Sequence, residues 1–348
     1  MRFKAAFWFS FLCWLFTSCW NPNCKLKEEE VVPALVNTHV FQYYDKSITT
    51  SNSLYGVSFP SDSVGYIVGS GVVYKTMDSA NTISEIISPT TQTLFDVYFL
   101  DEQNGFVAGN FAFFQTNDGG SNWSSPSIPI TLSTAAFRKI GYRNNSMMFL
   151  LGGDMNNNAI MLRSTDGGTT WDDIYWSGIH GIAGMDFISD DTALICGFYG
   201  EVFRTNDRGT TWSQMTVNAS VSSSAPIFLT DIKMLNSKVG FLVGNTSSGI
   251  DQLLLKTVDG GFNWNQLDMG LVPAYADVFE DLNILRGSEI VISGDNQINY
   301  TGFVIRSKDG GVTWAYDNIP SVPSIYRATS INDSEYFVGQ NGTVLKRY

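Results

Sequence analysis

The stretch "STDGGTTW", Ser164 to Trp171, sets two glycines and two threonines directly before an indole. Asp–Gly favours the positive φ angles of a tight hairpin, and the carboxylate can accept N–H groups within that turn. The pattern recurs as "TNDGGSNW" (116–123), "TNDRGTTW" (205–212), "TVDGGFNW" (257–264) and "SKDGGVTW" (307–314). A sixth copy, "TMDSANTI" (76–83), keeps the Asp and loses the glycines and the Trp. The structural set is therefore Asp78, Asp118, Asp166, Asp207, Asp259 and Asp309, with Trp123, Trp171, Trp212, Trp264 and Trp314.

A second marker precedes each turn. "GYIVG" (65–69), "GFVAG" (105–109), "FLLGG" (149–153), "ALICG" (193–197), "GFLVG" (240–244), "IVISG" (290–294) and "EYFVG" (335–339) are apolar strands ending in glycine. The Asp positions are 40, 48, 41, 52 and 50 residues apart. An alternating strand leads into each glycine-ended one, a third precedes the Asp turn, and a fourth begins at the Trp. Four short strands per repeat, in seven repeats, predict an all-β, seven-bladed β-propeller of four-stranded antiparallel blades. Each Trp is expected to pack in the seam between blades, contributing about 2–3 kcal/mol of burial. The last repeat, 325–348, has three strands and no Asp turn, and "HVFQYYDKSI" (39–48) is free to close it as the outer strand.

The expected organisation is a signal peptide over 1–18, a tether over 19–37 and one propeller over 38–348. Arg2 and Lys4 precede an apolar run too short for a stable span, which reads as a secretory signal. "LFTSC" (15–19) resembles a bacterial lipobox, with Cys19 as the lipidated mature N-terminus and Phe16 where leucine is usual. Export to a cell envelope on a lipid anchor follows, with membrane contact through that anchor alone. Cys24 and Cys196, in tether and core, are not expected to pair.

Aromatic residues at 14% and apolar residues at 44% support a large core. A net charge of −12 disfavours nucleic acid and anionic lipid as partners. Only His39 and His180 are available for imidazole chemistry, and no zinc spacing, EF-hand loop, P-loop or G-x-S-x-G occurs. No metal and no cofactor are expected.

The S/T-x-D-x-G-x-T-W pattern resembles the Asp box, or bacterial neuraminidase repeat. With "GF(V/L)xG" ahead of "(K/R)TxDGGxxW", the chain from about 38 to 348 is similar to the photosystem II stability/assembly factor-like propellers. That family implies a lumenal or exported propeller that binds proteins during assembly, and the expected function is a non-catalytic interaction or assembly scaffold. Asp boxes also occur in sialidases, but their early Arg-Ile-Pro motif is missing and the first arginine after Arg2 is Arg138. The alternative is a glycan-binding or glycoside-hydrolase-like surface propeller, with Asp154, Asp251 and Asp295 as loop carboxylates. A monomer is expected, with a protein partner, or a glycan on the alternative.

Two further groups of residues stand out. Three positions before each Asp, the chain reads Lys75, Gln115, Arg163, Arg204, Lys256 and Arg306, with Lys346 at the matching place in the last repeat. Such a basic ring either grips an acidic partner or ties strand ends to neighbouring turns; the second reading is preferred. The loops opposite the Asp turns vary most, and Trp176, His180, Tyr199 and Tyr300 on them are the candidate binding residues.

Overall fold

The computed structural model describes residues 42–348, apart from 145, 175–177, 222–223, 249–250, 272–276 and 286–287. These residues form seven β-sheets, each a blade. The inner strands, in blade order, are Leu54–Ser58, Leu94–Phe99, Ala135–Arg143, Ile182–Phe187, Ile227–Met234, Asp277–Leu285 and Ile325–Ile331. Within each blade successive strands pair antiparallel from the inside outwards. Blade two has three strands, its fourth reduced to a bridge between Gln115 and Ser124. Blade five gains an extra edge strand, Thr216–Asn218, parallel to Asn263–Gln266.

Blade seven takes its outer strand from the start of the ring. Tyr43–Asp45 pairs antiparallel with Val344–Arg347, matching Tyr43 to Arg347 and Asp45 to Leu345. The Lys46 and Ile48 N–H groups extend the contact by donating to the Val344 and Gly342 carbonyls, both at 2.8 Å. The open edges that a linear array would present are thereby paired.

The inner strand of every blade carries a β-bulge at the same place. The register with its neighbour slips across Tyr55, Phe95, Arg138, Ala183, Thr230, Glu280 and Tyr326. Opposite each bulge stands the strand-ending glycine. The bulge presses a carbonyl against it: a Cβ on Gly294 would lie 1.9 Å from the Val278 oxygen, and one on Gly339 would lie 1.8 Å from that of Ser324. These glycines are required by close approach of backbone to backbone.

The Asp turns share one hydrogen-bond pattern. In "STDGGTTW", Asp166 Oδ1 accepts the Ser164 hydroxyl at 2.8 Å and the Thr170 N–H at 2.8 Å, while Oδ2 accepts the Thr170 hydroxyl at 2.6 Å. Gly167 and Gly168 take φ of 72° and 91°. The degenerate copy folds the same way without glycine: Ser79 and Ala80 hold φ near 60°, and Asp78 accepts both groups of Thr82 at 2.7 Å. The carboxylate network therefore holds the left-handed turn even where Cβ atoms oppose it.

Apolar side chains fill the seams between blades. Trp171 of blade three stands edge-on to Phe113 of blade two at 5.2 Å, Trp212 to Phe149 at 6.0 Å, and Trp314 to Phe241 at 6.2 Å. Trp264 is wholly buried with Leu194 of blade four. Each of these four indoles thus packs on the preceding blade, while Trp123 stands edge-on to Phe99 of its own blade at 6.3 Å.

Candidate functional site

Apart from Lys256, the cations three positions before the Asp turns, and Lys346 at the matching place, reach across the seams. Lys75 Nζ donates to the Gly119 carbonyl at 2.9 Å, Arg163 to that of Arg208 at 3.1 Å, Arg204 to that of Gly260 at 3.2 Å, and Lys346 to that of Ser79 at 2.7 Å. The acceptor in each case is the residue after the Asp in the next blade's turn. That same residue donates its N–H to the loop between its own blade's first two strands. Lys256 lies over the Phe241 ring at 5.2 Å.

Arg306 faces blade seven, which has no Asp turn, and carboxylates stand in for one. Its guanidinium contacts Glu335 at 2.7 Å, Asp317 at 2.8 Å and Glu289 at 2.9 Å. Arg347 binds Glu335 at 2.6 Å from the other side. Tyr43 of the closing strand donates to Asp317 at 2.6 Å. Burial, then the adjacent Asp317 charge, drives the Tyr43 hydroxyl pKa far above its ordinary value.

A cavity of about 330 Å³ occupies the axis, where all seven inner strands converge. Its wall carries Asp96, Lys139, Asp231, Lys233, Asp281 and Arg327, with Tyr98 and Tyr142 towards the Asp-turn side. Three carboxylates of this wall staple the next blade. Asp96 accepts the Ile140 N–H at 2.8 Å, Asp186 that of Met234 at 2.6 Å, and Asp281 that of Ala328 at 2.9 Å. Arg327 pairs with Asp281 at 3.1 Å, and Lys233 with Asp231 at 3.4 Å. Lys139 makes no ion pair or hydrogen bond among the described residues; burial, with the Lys233 and Arg327 charges, lowers its pKa.

The bulge residues gather at the other end of the axis. Tyr55 stacks on Tyr326 at 5.1 Å and tilts against Phe95 at 5.4 Å, and Arg138 lies over Phe95 at 4.2 Å. Glu280 completes this layer, and burial with Asp295 repulsion pushes its carboxyl pKa up to about 7. Hydrophobic patterning gave no sign of these residues, because a bulge alters which side chains face the axis without altering composition.

On the variable loops, His180 and Tyr199 meet with ring centroids 4.1 Å apart, and Glu201 holds the His180 N–H at 3.0 Å. Tyr199 and Tyr300 are exposed at left-handed φ of 60° and 54°. They belong to blades four and six, so the structure pairs His180 with Tyr199 and sets Tyr300 apart. Trp176 lies outside the described residues. Asp154 accepts the Asn156 and Asn158 N–H groups, both at 2.8 Å, within its own turn. Asp295 is held by Ser324 at 2.9 Å and by Gln297. The Asp251 carbonyl closes its loop onto the Thr246 N–H at 3.0 Å. Cys196 is a buried free thiol, and no group of metal-ligating side chains occurs among the described residues.

The model of the photosynthesis system II assembly factor YCF48 family matches residues 75–224. No curated protein matches the chain. YCF48 bound to a D1 peptide is a structural neighbour at TM-score 0.67 and 19% identity, over 87% of this chain and 96% of that one. YCF48 from Cyanidioschyzon merolae aligns at TM-score 0.66 and 15% identity, over 87% and 98%. The GH74 xyloglucanase from Xanthomonas campestris aligns at TM-score 0.64 and 12% identity, over 87% of this chain and 53% of its own. At such identities the shared property is the fold. The chain is an Asp-box β-propeller that resembles the photosystem II assembly-factor propellers.

Proposed function

We propose that this chain is a non-catalytic protein-interaction propeller, an assembly scaffold presented on a cell envelope. The observation that carries the reading is its likeness, over nearly the whole ring, to a propeller solved with a peptide bound. The chemistry of the axis supports it. Carboxylates that hold backbone N–H groups of the next blade are committed to structure, and proton transfer would break the staple. The variable loops, with Tyr199 and Tyr300 exposed, are the partner-binding face on this reading.

Export and anchoring belong to the same proposal. Cys19 carries the lipid, the segment to about residue 37 is the tether, and the ring acts as a monomer. The test is capture of partners by the anchored protein from its native envelope, with a glycan array screened in parallel. A specific protein partner and no glycan signal is expected; glycan hydrolysis refutes the reading. Replacing Cys19 with Ala should release the protein or leave a precursor, and absence of metabolic lipid labelling in the wild type refutes the anchor.

A further inference from the structure

One seam lacks its cation. In blades one, three, four and seven, the residue three before the Asp turn, or its counterpart, donates to the next blade's turn carbonyl. In blade two that position is Gln115, whose side chain makes no hydrogen bond among the described residues. The Gly167 carbonyl, which a cation from blade two would engage, likewise accepts none among them. The space is open: a cavity of about 350 Å³ is lined by Gln115, Gly167, Phe106, Trp123, Asn104 and Asn122.

The rest of the cation's surroundings are in place. Gln115 is the cross-strand partner of Phe106, as Lys75 is of Tyr66 and Lys346 of Tyr336. In those two blades the ammonium lies over the ring, at 5.0 Å and 5.4 Å from its centre. Phe106 lines the cavity at the matching place, 4% exposed and with its ring stacked on Phe113. No lining residue is charged, so a guest cation meets aromatic faces and amide or carbonyl oxygens without a resident competitor. The net charge of −12 favours its approach.

We propose that this seam is a socket for a basic side chain, a lysine or arginine of a protein partner, seated between Phe106 and the Gly167 carbonyl. The guest takes the place that Lys75 and Lys346 occupy in their own seams. Assigning the cation to a protein rests on the scaffold reading above and gives that partner a contact on the Asp-turn side, separate from the variable loops; the cation chemistry does not rest on it.

The probe is n-butylguanidinium, titrated calorimetrically into the full chain at moderate salt, with uncharged n-butylurea as control. Saturable binding of the guanidinium and none of the urea is expected. Gln115→Lys, which supplies the cation from within, should weaken that binding about tenfold or more. In the wild type the Trp123 indole N–H resonance should shift during the titration, a readout independent of any variant. Equal binding by wild type and Gln115→Lys, equal binding of the urea, no binding at all, or an unmoved Trp123 resonance overturns the assignment. The partner-capture experiment separates the two proposals: a partner held equally well by Gln115→Lys leaves the scaffold reading standing and removes the socket.

Discussion

Replacing Arg306 with Met should be far more damaging than the same change at Arg163, although both occupy the same repeat position. The Arg306 side chain is 1% exposed and its partner Glu335 is 0% exposed. Removing the guanidinium takes from Glu335 the close contact of Arg306, and leaves Asp317 with the neutral Tyr43 hydroxyl and Glu289 with Arg347 at 3.8 Å. Breaking a buried pair costs about 3–5 kcal/mol, because the remaining charge stays desolvated. A ring of this size changes by about 0.6 kcal/mol per degree near its midpoint, so Tm should fall by about 5–8 °C. Arg163 instead pairs with Asp172, which is 67% exposed, and loses two hydrogen bonds to neutral acceptors at a half-open edge. Its loss should cost about 1 kcal/mol, within about 2 °C. Differential scanning calorimetry of both variants, with Arg306→Met/Glu335→Leu as a third, measures the contrast. The double variant should recover little of the loss, because Glu335→Leu also takes the 2.6 Å partner from the buried Arg347. Equal shifts for Arg306→Met and Arg163→Met would show that burial does not govern this seam.

Two further outcomes follow from the fold. Gly294→Ala, which drives a Cβ into the Val278 carbonyl, should destabilise by about 2 kcal/mol or more, whereas Gly178→Ala, where a Cβ meets nothing within 4 Å, should cost about 1 kcal/mol through its positive φ alone; denaturant midpoints that rank them the other way refute the close-approach account. The pH profile has two windows of opposite sign: Glu280, raised from 4.5 to about 7, binds its proton more tightly when folded, so stability falls as pH rises between those values. Asp166 and Asp207, held near 2 by hydrogen bonds from Thr170 and Thr211, contribute stability above their ordinary 3.8 and lose it as pH falls towards 2. Thermal midpoints should peak between the two windows, and Glu280→Gln should flatten the upper slope; an unchanged upper slope in that variant refutes the assignment.

The turns and the blade count were legible because they rest on local chemistry. An Asp bonded to residues two before and four after it leaves a fixed spacing, as in Ser164, Asp166 and Thr170. The strand-ending glycines were equally visible, but their reason was not. Gly69 and Gly339 mark the ends of strands in sequence, whereas in the ring they are the places where a neighbouring carbonyl would lie within 2.1 Å and 1.8 Å of a Cβ. The basic positions could be listed from the repeat, yet the carbonyl each one meets lies in the next blade, more than forty residues away in the case of Lys75 and Gly119. Lys139, Glu280 and Asp281 escaped notice because the axis is assembled from one or two residues per repeat, and no window of sequence contains it. The loop face remained a matter of variability and exposure, which name Tyr199 and Tyr300 without saying what they touch.

The recurring bulge has a consequence for how such a ring can change. A bulged residue has no partner across the strand pair, so its side chain is free of the register that constrains its neighbours. The seven positions already hold Tyr55, Phe95, Arg138, Ala183, Thr230, Glu280 and Tyr326, spanning aromatic, cationic, anionic and small side chains on one unaltered frame. The fold therefore carries a palette of seven sites around one opening, several of them packed on one another, where new recognition chemistry can be written while the scaffold stays the same.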